Sequence, residues 1–557
     1  MATVAVTRGG PQAAVALAAC AAAGTACLVW ALRGRYLQVF LGSDPAKGGG
    51  IDGNGEKERQ GVTLTSLSHL MALTGDSWHS SLQRLVIGQM VIGLKLTNDP
   101  RLAAIPSPLP ASLAALASLR DVDLSANGLA AFPDALLSVP GLKKLSLSRN
   151  KLTSLPQAIA QLSHLEHLDL GRNHLTAVPE EIGHLTKLLT LNLMCNQLEG
   201  LPESIGRLTR VFRLGLKSNR LSALPSSIGG MTSLVELYLT DNRLSSLPDS
   251  LGCCTRLVKL QASFNQLHSL PASIGSLSHL ELLRLAANNL HSLPASLALL
   301  PHLAWVSLAS NPFCPPLPPH HEGVEDIPFS ELKLGKKLGD GASGDVYAAL
   351  WHGHEVVFKQ FNSETSPDGR AVDEIAMTAA VDHEHLVQVE ATVEQPHGLV
   401  MRRVFGSAMA DPPNADSLLR CRWTPTASYS LASVLAVGSG LASALEWMHA
   451  RGWAHGDVYA HNVLVNDEGF AVLCDYGASF PYPRHSGIPF ESHEVRALAL
   501  LLQGLFTRLA APETTAELTS REQLGRLIEV CVGGTAGERP RFKDVREQLA
   551  SIHRGHL

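Results

Sequence analysis

The residues with the clearest chemical meaning lie in the second half of the chain. A glycine-rich stretch, LGDGASGDVYAALWHGHEVVFK, carries Gly339, Gly341 and Gly344 in GxGxxGxV spacing and ends at Lys359. Glycine lets a backbone approach phosphate oxygens more closely than a Cβ permits, so this spacing suits a loop that cradles a triphosphate. By itself the pattern is a weak signal, because glycine-rich loops without function share it.

Other polar residues follow at definite distances. Glu374 comes first, HGDVYAHN then contains Asp457 and Asn462, and DYG begins at Asp475, 18 residues after Asp457. That separation leaves room for a loop, a short hairpin and the next loop. Polar elements in this order resemble a protein kinase domain, and the similarity covers about residues 329–549.

The resemblance implies ATP and Mg²⁺ as cofactors. The loop glycines would cover the phosphates, and Val346 would pack over the adenine. Lys359 would contact the α and β phosphates and be held by Glu374. One such pair alone would be read as a surface salt bridge worth less than about 1 kcal/mol, but the accompanying motifs favour the nucleotide-binding role.

The same resemblance assigns the catalytic and metal-binding residues. Asp457 would accept or orient the proton of a substrate hydroxyl, while Asn462 and Asp475 would hold two Mg²⁺ ions. Near the end of the chain, ERPRF resembles the arginine motif of the helical lobe. No APE sequence supplies the usual glutamate, so we expect Arg539 to form a buried ion pair with Glu491.

The catalytic loop departs from the usual kinase pattern. Gly456 stands where arginine is expected before the catalytic aspartate, Tyr459 where lysine is expected two residues after it, and His461 at the position tyrosine kinases use. Glu494 takes the place of the aspartate usual in the next long helix. The resemblance is therefore to a non-RD kinase. Two functions stay open: a protein kinase, serine/threonine by base rate, or a nucleotide-binding pseudokinase scaffold.

The first half of the chain carries a repeat rather than chemistry. LxxLxLxxN recurs every 23 residues and ends each time in an asparagine: Asn127, Asn150, Asn173, Asn196, Asn219, Asn242, Asn265, Asn288 and Asn311. These units resemble leucine-rich repeats, which place LxL on a short strand and return through LPxxIxxL as a short helix or 3₁₀ segment. One unit cannot bury its apolar face, so about ten of them must stack into a solenoid. Each inward asparagine must bond to backbone groups of adjacent turns.

The concave face of that solenoid is the candidate partner surface. Side chains alternate along a strand, so the third, fifth and seventh positions of the repeat face the concave side. There the sequence places an aromatic and basic mixture of the kind enriched at interface anchors: Arg213, Lys217, Tyr238, Lys259, Arg284 and Trp305. A solvated polar face explains this mixture without a partner. The functional interpretation is a docking surface for an acidic protein or for the kinase lobe itself.

Composition narrows the partners and the compartment. A net charge of −5 provides no basic footprint for nucleic acid. The nine cysteines form no CxxC pair, and no N-x-S/T sequon occurs, so we expect a reducing, cytoplasmic location. The uncharged, alanine-rich segment 13–32 is compatible with a membrane anchor or with an organelle transit peptide.

These observations predict four segments. They are a targeting or anchor segment with a flexible linker at 1–60, a solenoid with an N-terminal cap at 61–314, a Pro-rich linker at 315–328 and a kinase-like domain at 329–557. The expected fold is an α/β leucine-rich-repeat solenoid followed by an α+β bilobal kinase domain. The Pro-rich linker cannot span a bilayer, which puts repeats and kinase on the same side of any membrane.

Overall fold

A computed structural model describes residues 62–64, 91–95, 119–139, 141–340, 343–366, 368–466 and 469–556. The chain divides into two compact units. The first runs to residue 221 and includes 230–234, and the second comprises 222–229 and everything from residue 235 onward. The predicted anchor or targeting segment at 1–60 lies outside the described residues.

The first unit is a ladder of short parallel strands, each paired with the next along the chain. They are β1 (Val62–Leu64), β2 (Val91–Lys95), β3 (Asp121–Asp123), β4 (Lys144–Ser146), β5 (His167–Asp169), β6 (Thr190–Asn192) and β7 (Arg213–Gly215). Five-residue 3₁₀ helices carry the chain back, at Asp134–Ser138, Gln157–Gln161, Glu180–His184 and Glu203–Arg207. The predicted strand and 3₁₀ segments are thereby confirmed. β1 lies at the start of the predicted solenoid segment, where the sequence predicted an N-terminal cap.

The asparagine ladder explains the 23-residue period. Asn150 donates to Leu124 O at 3.0 Å and Leu147 O at 2.9 Å, while its Oδ1 accepts from the backbone N–H groups of Asn127 and Leu129, each at 3.0 Å. One buried amide therefore links two successive turns. Because an unpaired buried amide costs about 1–3 kcal/mol, the residue type is fixed by the architecture.

The second unit begins with four further repeat strands that pair in parallel where described. They are β8 (Glu236–Tyr238), β9 (Lys259–Gln261), β10 (Leu282–Arg284) and β11 (Trp305–Ser307). The associated 3₁₀ helices are Asp249–Cys253, Ala272–Ser276 and Ala295–Leu299, and Ser226–Gly230 straddles the division along the chain. Counted from β2 to β11, the strands are the ten that the repeat predicted.

The N-terminal lobe of the kinase domain follows as a mixed sheet with one helix. Its strands are β12 (Glu325–Ile327), β13 (Lys333–Asp340), β14 (Gly344–Trp351), β15 (His354–Phe361), β16 (Val389–Val393) and β17 (Gly398–Arg402), in the order β12-β16-β17-β15-β14-β13. A 3₁₀ turn, Phe329–Glu331, precedes β13, and helix α1, Ala371–Ala379, follows β15. β12 lies inside the segment interpreted as a linker, because it pairs in parallel with β16 and so belongs to this sheet.

The C-terminal lobe is mainly helical. Its elements are β18 (Ser407–Ala408), α2 (Leu431–His449), β19 (Trp453–Ala454), a 3₁₀ turn (Ala460–Asn462), β20 (Val463–Val465), β21 (Ala471–Leu473), β22 (Phe480–Pro481), α3 (Phe490–Phe506), α4 (Thr515–Val532) and α5 (Phe542–His556). Among the described residues, α2 is the one helix long and apolar enough to cross a membrane, and most of it is buried in this lobe. Its apolar sequence is therefore accounted for by the core.

One apolar core explains why the last repeats belong to the second unit. Leu282, Ala304 and Trp305, from β10, β11 and the turn before it, are buried in the same cluster as Val458 and Tyr459 of the C-terminal lobe. The compact units thus do not divide at residue 314, where the repeat pattern ends, because side chains of the final repeats pack against the kinase domain.

Candidate active site

The glycine-rich stretch contributes Gly339 to the end of β13 and Gly344 to the start of β14. At Gly344 an added Cβ would lie 2.1 Å from Gln360 O, so a larger residue does not fit. At Gly339 nothing lies within 4 Å of such a Cβ, while Gly341 lies outside the described residues. Val346 on β14 is the register partner of Lys359 on β15, which places the predicted adenine contact directly beside the predicted phosphate-binding lysine.

Lys359 contacts two carboxylates. Its Nζ pairs with Glu374 Oε1 on α1 and lies 3.7 Å from Asp475 Oδ1. Burial alone would lower the pKa of Lys359, but Asp475 and Glu374 outweigh it and raise that pKa. Burial also raises the pKa of Glu374 to about 7, against the opposing effect of Lys359. The lysine is therefore a fixed cation at neutral pH, as a phosphate ligand must be.

The catalytic loop, defined here as residues 455–462, brings Asp457 and Asn462 together. Asn462 Nδ2 donates to Asp457 O at 3.0 Å and to Asp457 Oδ2 at 2.8 Å. The Asn462 carbonyl accepts from Cys474 N at 2.9 Å, which ties the loop to the strand leading into Asp475. Asn462, one predicted metal ligand, is thus bonded through its backbone to the residue that precedes Asp475, the other predicted ligand.

Asp475 has the properties of a cation ligand. It adopts a left-handed backbone with φ of 67°, its Oδ1 accepts from Gly477 N at 3.3 Å, and its side chain is about half exposed. Burial alone would raise the pKa of Asp475, but Lys359, the Gly477 N–H group and two nearby histidines together outweigh burial and lower that pKa, so the carboxylate is ionised. Mg²⁺ prefers oxygen ligands, and the Asp475 carboxylate with the Asn462 amide oxygen fits it. No group of three histidine, cysteine or acidic side chains able to hold a metal occurs among the described residues.

A buried glutamate on α3 is hydrogen-bonded to the backbone of the catalytic loop. Glu494 on α3 is 3% exposed, accepts from the backbone N–H of Gly456 through Oε1, and lies 2.7 Å from His449 Nε2 through Oε2. His449 Nδ1 in turn lies 2.7 Å from Tyr482 Oη. The sequence identified Glu494 by its place in the kinase pattern, but it carried no signal for His449 or Tyr482.

The expected ion pair between Arg539 and Glu491 is wrong. Arg539 is buried, as expected, but its guanidinium donates to backbone carbonyls, including Gly533 O at 3.2 Å. Glu491 instead accepts from Phe542 N at 3.0 Å, at the start of α5. Without a carboxylate partner, burial lowers the pKa of Arg539 to about 10.

The six residues predicted as a partner surface fall into two groups. In the first unit, Arg213 and Lys217 are half-buried, and the Arg213 guanidinium lies 5.6 Å from the Phe212 ring. In the second unit, Lys259 Nζ lies 5.2 Å from the Tyr238 ring, whose hydroxyl donates to a neighbouring carboxylate.

Arg284 and Trp305 do not form a free surface. Each is 2% exposed, because both face the catalytic loop. Arg284 pairs with Asp457, and Trp305 stacks on Tyr459. The prediction that these two residues bind a separate protein partner is therefore wrong. The alternative, docking of the kinase lobe itself, is the arrangement present in the structure.

Comparison with known families agrees with this architecture. Residues 117–175 match the family model described as leucine rich repeat, residues 157–269 match leucine-rich repeat region, and residues 332–486 match protein tyrosine and serine/threonine kinase. A solved leucine-rich-repeat protein of Leptospira interrogans is similar at 28% identity and a TM-score of 0.37, over 41% of this chain and 63% of that one.

Curated relatives are protein kinases of both acceptor classes. Tyrosine-protein kinase Srms of Homo sapiens is 25% identical over 293 residues, which are 44% of this chain and 58% of that protein. Tyrosine-protein kinase abl-1 of Caenorhabditis elegans is 23% identical over 278 residues, 42% of this chain and 22% of that protein. A probable serine/threonine-protein kinase of Dictyostelium discoideum is 26% identical over 160 residues, which are 28% of this chain and 16% of that protein. The chain spans less than two thirds of each relative. The chain therefore combines leucine-rich repeats with a protein kinase domain that follows them, the domain order of the leucine-rich-repeat protein kinases.

Proposed function

We propose that this chain transfers the γ-phosphoryl group of ATP to a protein hydroxyl, with serine or threonine as the acceptor. One observation carries the proposal. Lys359, paired with Glu374, lies 3.7 Å from Asp475, and Asn462, linked by its carbonyl to the residue before Asp475, lies 2.8 Å from Asp457. Phosphoryl transfer depends mostly on positioning and charge neutralisation, and this cluster supplies a fixed cation beside two oxygen donors.

Each side chain has a distinct task in that reaction. Lys359 neutralises phosphate charge, and the buried carboxylate of Glu374 keeps its ammonium in place. Asp475 and Asn462 would hold Mg²⁺, which supplies further charge neutralisation when bound. Asp457 accepts the proton of the attacking hydroxyl, and the Asn462 amide orients its carboxylate.

The alternative is a nucleotide-binding pseudokinase scaffold, and the catalytic loop favours it in one respect. Tyr459 replaces the lysine that would contact the γ-phosphate, and burial lowers the pKa of His461, so that side chain is neutral at physiological pH. Loss of the lysine cation slows phosphoryl transfer but leaves nucleotide binding intact. The two functions therefore differ in whether transfer occurs and not in whether ATP binds.

Transfer from radiolabelled ATP decides between them. The purified full chain, Mg²⁺ and a mixed serine, threonine and tyrosine peptide library form the assay, with phosphoamino-acid analysis of the product. Asp457→Asn is the matched control, because it keeps the size of the side chain while removing the carboxylate that accepts the proton. Incorporation into serine or threonine that disappears in Asp457→Asn supports the proposal. Equal incorporation in both proteins refutes it, and phosphotyrosine alone would overturn the acceptor class.

We also propose that the repeats of the first unit bind a protein partner through Arg213 and Lys217, which supply positive charge on the concave face. Charge reversal at both positions should weaken capture of an acidic partner from extract. Equal recovery of every captured protein by wild type and variant would refute this role.

The proposed compartment is the cytoplasm, with the segment 13–32 acting as a membrane anchor or, alternatively, as an organelle transit peptide. The uncharged character of that segment supports either route. Fractionation of cells that express the full chain, followed by protease protection, distinguishes them, because an anchored protein exposes its kinase domain to added protease.

A further inference from the structure

Arg284 contacts Asp457, the residue that the proposed function assigns as the proton acceptor. Its Nη2 donates to Asp457 Oδ1, its Nη1 donates to Gly456 O at 2.8 Å, and its Nε lies 2.8 Å from Asp368 Oδ1 in an ion pair too bent to be a hydrogen bond. Since Asn462 already donates to Oδ2, both carboxylate oxygens of Asp457 are engaged. A protein hydroxyl that approached the base would meet this guanidinium.

Trp305 covers the next part of the catalytic loop. Its ring lies parallel to that of Tyr459, with centroids 4.3 Å apart and 6° between the planes, and its Nε1 donates to Val458 O at 3.0 Å. The guanidinium of Arg420 lies 5.7 Å from the same ring and forms two hydrogen bonds to Glu281, just before β10. Tyr459, which stands where kinases usually carry a phosphate-binding lysine, thus stacks on a side chain of the repeats.

Gly456 fits the same contact. It has φ of 77°, and an added Cβ would lie 2.5 Å from Val306 O of β11 and 2.5 Å from Ala478 O. The arginine usual at this position would not fit between these carbonyls. Two departures from the kinase pattern, at positions 456 and 459, are therefore both complementary to the terminal repeats.

The N-terminal lobe is held by the same repeats. Ser307 Oγ donates to Asp368 O at 2.5 Å, and Ser310 Oγ donates to Asp373 Oδ2 on α1 at 2.6 Å. Helix α1 also carries Glu374, whose pair with Lys359 is formed. The nucleotide-binding residues are therefore assembled while the acceptor side of Asp457 is covered.

We infer that the terminal repeats, residues 280–311, are an intramolecular cover that blocks the acceptor-binding side of the active site and holds Asp457 through Arg284. This inference rests on the proposed kinase function. The cover must leave before a protein hydroxyl can reach Asp457, whereas ATP can bind with the cover in place. The competing role for Arg284, to position Asp457 for catalysis, predicts the opposite change in activity when the arginine is removed.

The test uses three variants of the full chain. Arg284→Glu places a carboxylate against Asp457 and Asp368, and Ser310→Asp places one against Asp373 at a position with φ of 56°, which aspartate tolerates. Arg256→Glu is the control, because it makes the same charge change at an exposed site of the repeats. The two readouts are transfer to the peptide library and hydrogen exchange of the amides 456–459.

We expect Arg284→Glu to raise transfer at least tenfold, with a lower KM for peptide, an unchanged KM for ATP and faster exchange at 456–459. Ser310→Asp should change transfer and exchange in the same direction, and Arg256→Glu should stay within twofold of wild type. Transfer that falls in Arg284→Glu, or exchange that stays at the wild-type rate in both cover variants, overturns the inference. Faster exchange with no transfer in any variant leaves the cover standing and refutes the kinase function instead.

Discussion

Glu494 offers the sharpest test of how the catalytic loop is held. Its carboxylate is the acceptor for the buried backbone N–H of Gly456, directly before Asp457, and it also contacts His449. Glu494→Ala removes both contacts and leaves the Gly456 amide without a partner. An unpaired buried donor costs about 1–3 kcal/mol, which corresponds to local opening that is roughly 5- to 150-fold faster.

Hydrogen exchange of the Gly456 amide measures that opening directly. We expect exchange to accelerate by this factor in Glu494→Ala, and phosphate transfer to fall at least tenfold because Asp457 follows the loop backbone. Glu494→Gln is the matched control, since its amide oxygen still accepts from Gly456, and it should stay much nearer to wild type. If Glu494→Ala exchanged the Gly456 amide at the wild-type rate, the carboxylate would not be what holds the loop.

Three further predictions concern charge, phosphorylation and acid stability. Asp475→Asn should lower transfer by a factor of about 10² or more while circular dichroism stays unchanged, and undiminished transfer would contradict its role. Ser486→Ala or phosphatase treatment should leave the transfer rate within twofold, because Ser479 and Ser492 are buried and Gly456 provides no cation for a phosphate; a tenfold fall would reveal another phosphate anchor. Burial lowers the pKa of His493 from 6.5 to about 3, so its contribution to stability is present above pH 6.5 and is lost as pH falls towards 3. Between pH 7.5 and pH 5 the free energy of unfolding should fall by about 2 kcal/mol less in His493→Leu than in wild type, which is measured as a smaller fall in Tm. An equal fall in Tm in both proteins would contradict the assignment.

The parts of the structure that recur or follow a motif could be predicted from the sequence. The asparagine period predicts the strands and 3₁₀ helices because each buried amide has one way to satisfy its hydrogen bonds. The spacing of Lys359, Glu374 and Asp475 predicts their proximity because it matches a known domain. No such rule applies to single contacts between remote segments, so the sequence does not predict that Arg539 donates to backbone carbonyls rather than to Glu491.

The contact between the terminal repeats and the catalytic loop is the main feature that the sequence did not specify. Arg284 and Asp457 are 173 positions apart, and neither periodicity nor a motif joins them. The signals were present but separate: an arginine and Trp305 on the concave face, and Gly456 and Tyr459 where a kinase normally carries cations. Only their complementarity in space turns two sets of irregularities into one interface.

In the proposed mechanism Asp457 cannot both hold Arg284 and accept a substrate proton, so the proposed cover and catalysis are linked equilibria. Any ligand that binds more tightly to the repeats when they are released from the catalytic loop must raise activity. By linkage, an acceptor that reaches Asp457 must favour binding of that ligand by the same free energy. If the cover is closed in about 99% of molecules, complete release can raise activity at most about a hundredfold, equivalent to about 2.7 kcal/mol. A charge-assisted hydrogen bond contributes about 1.5–3 kcal/mol net, so the bond between Arg284 and Asp457 alone is of the size that such a switch requires.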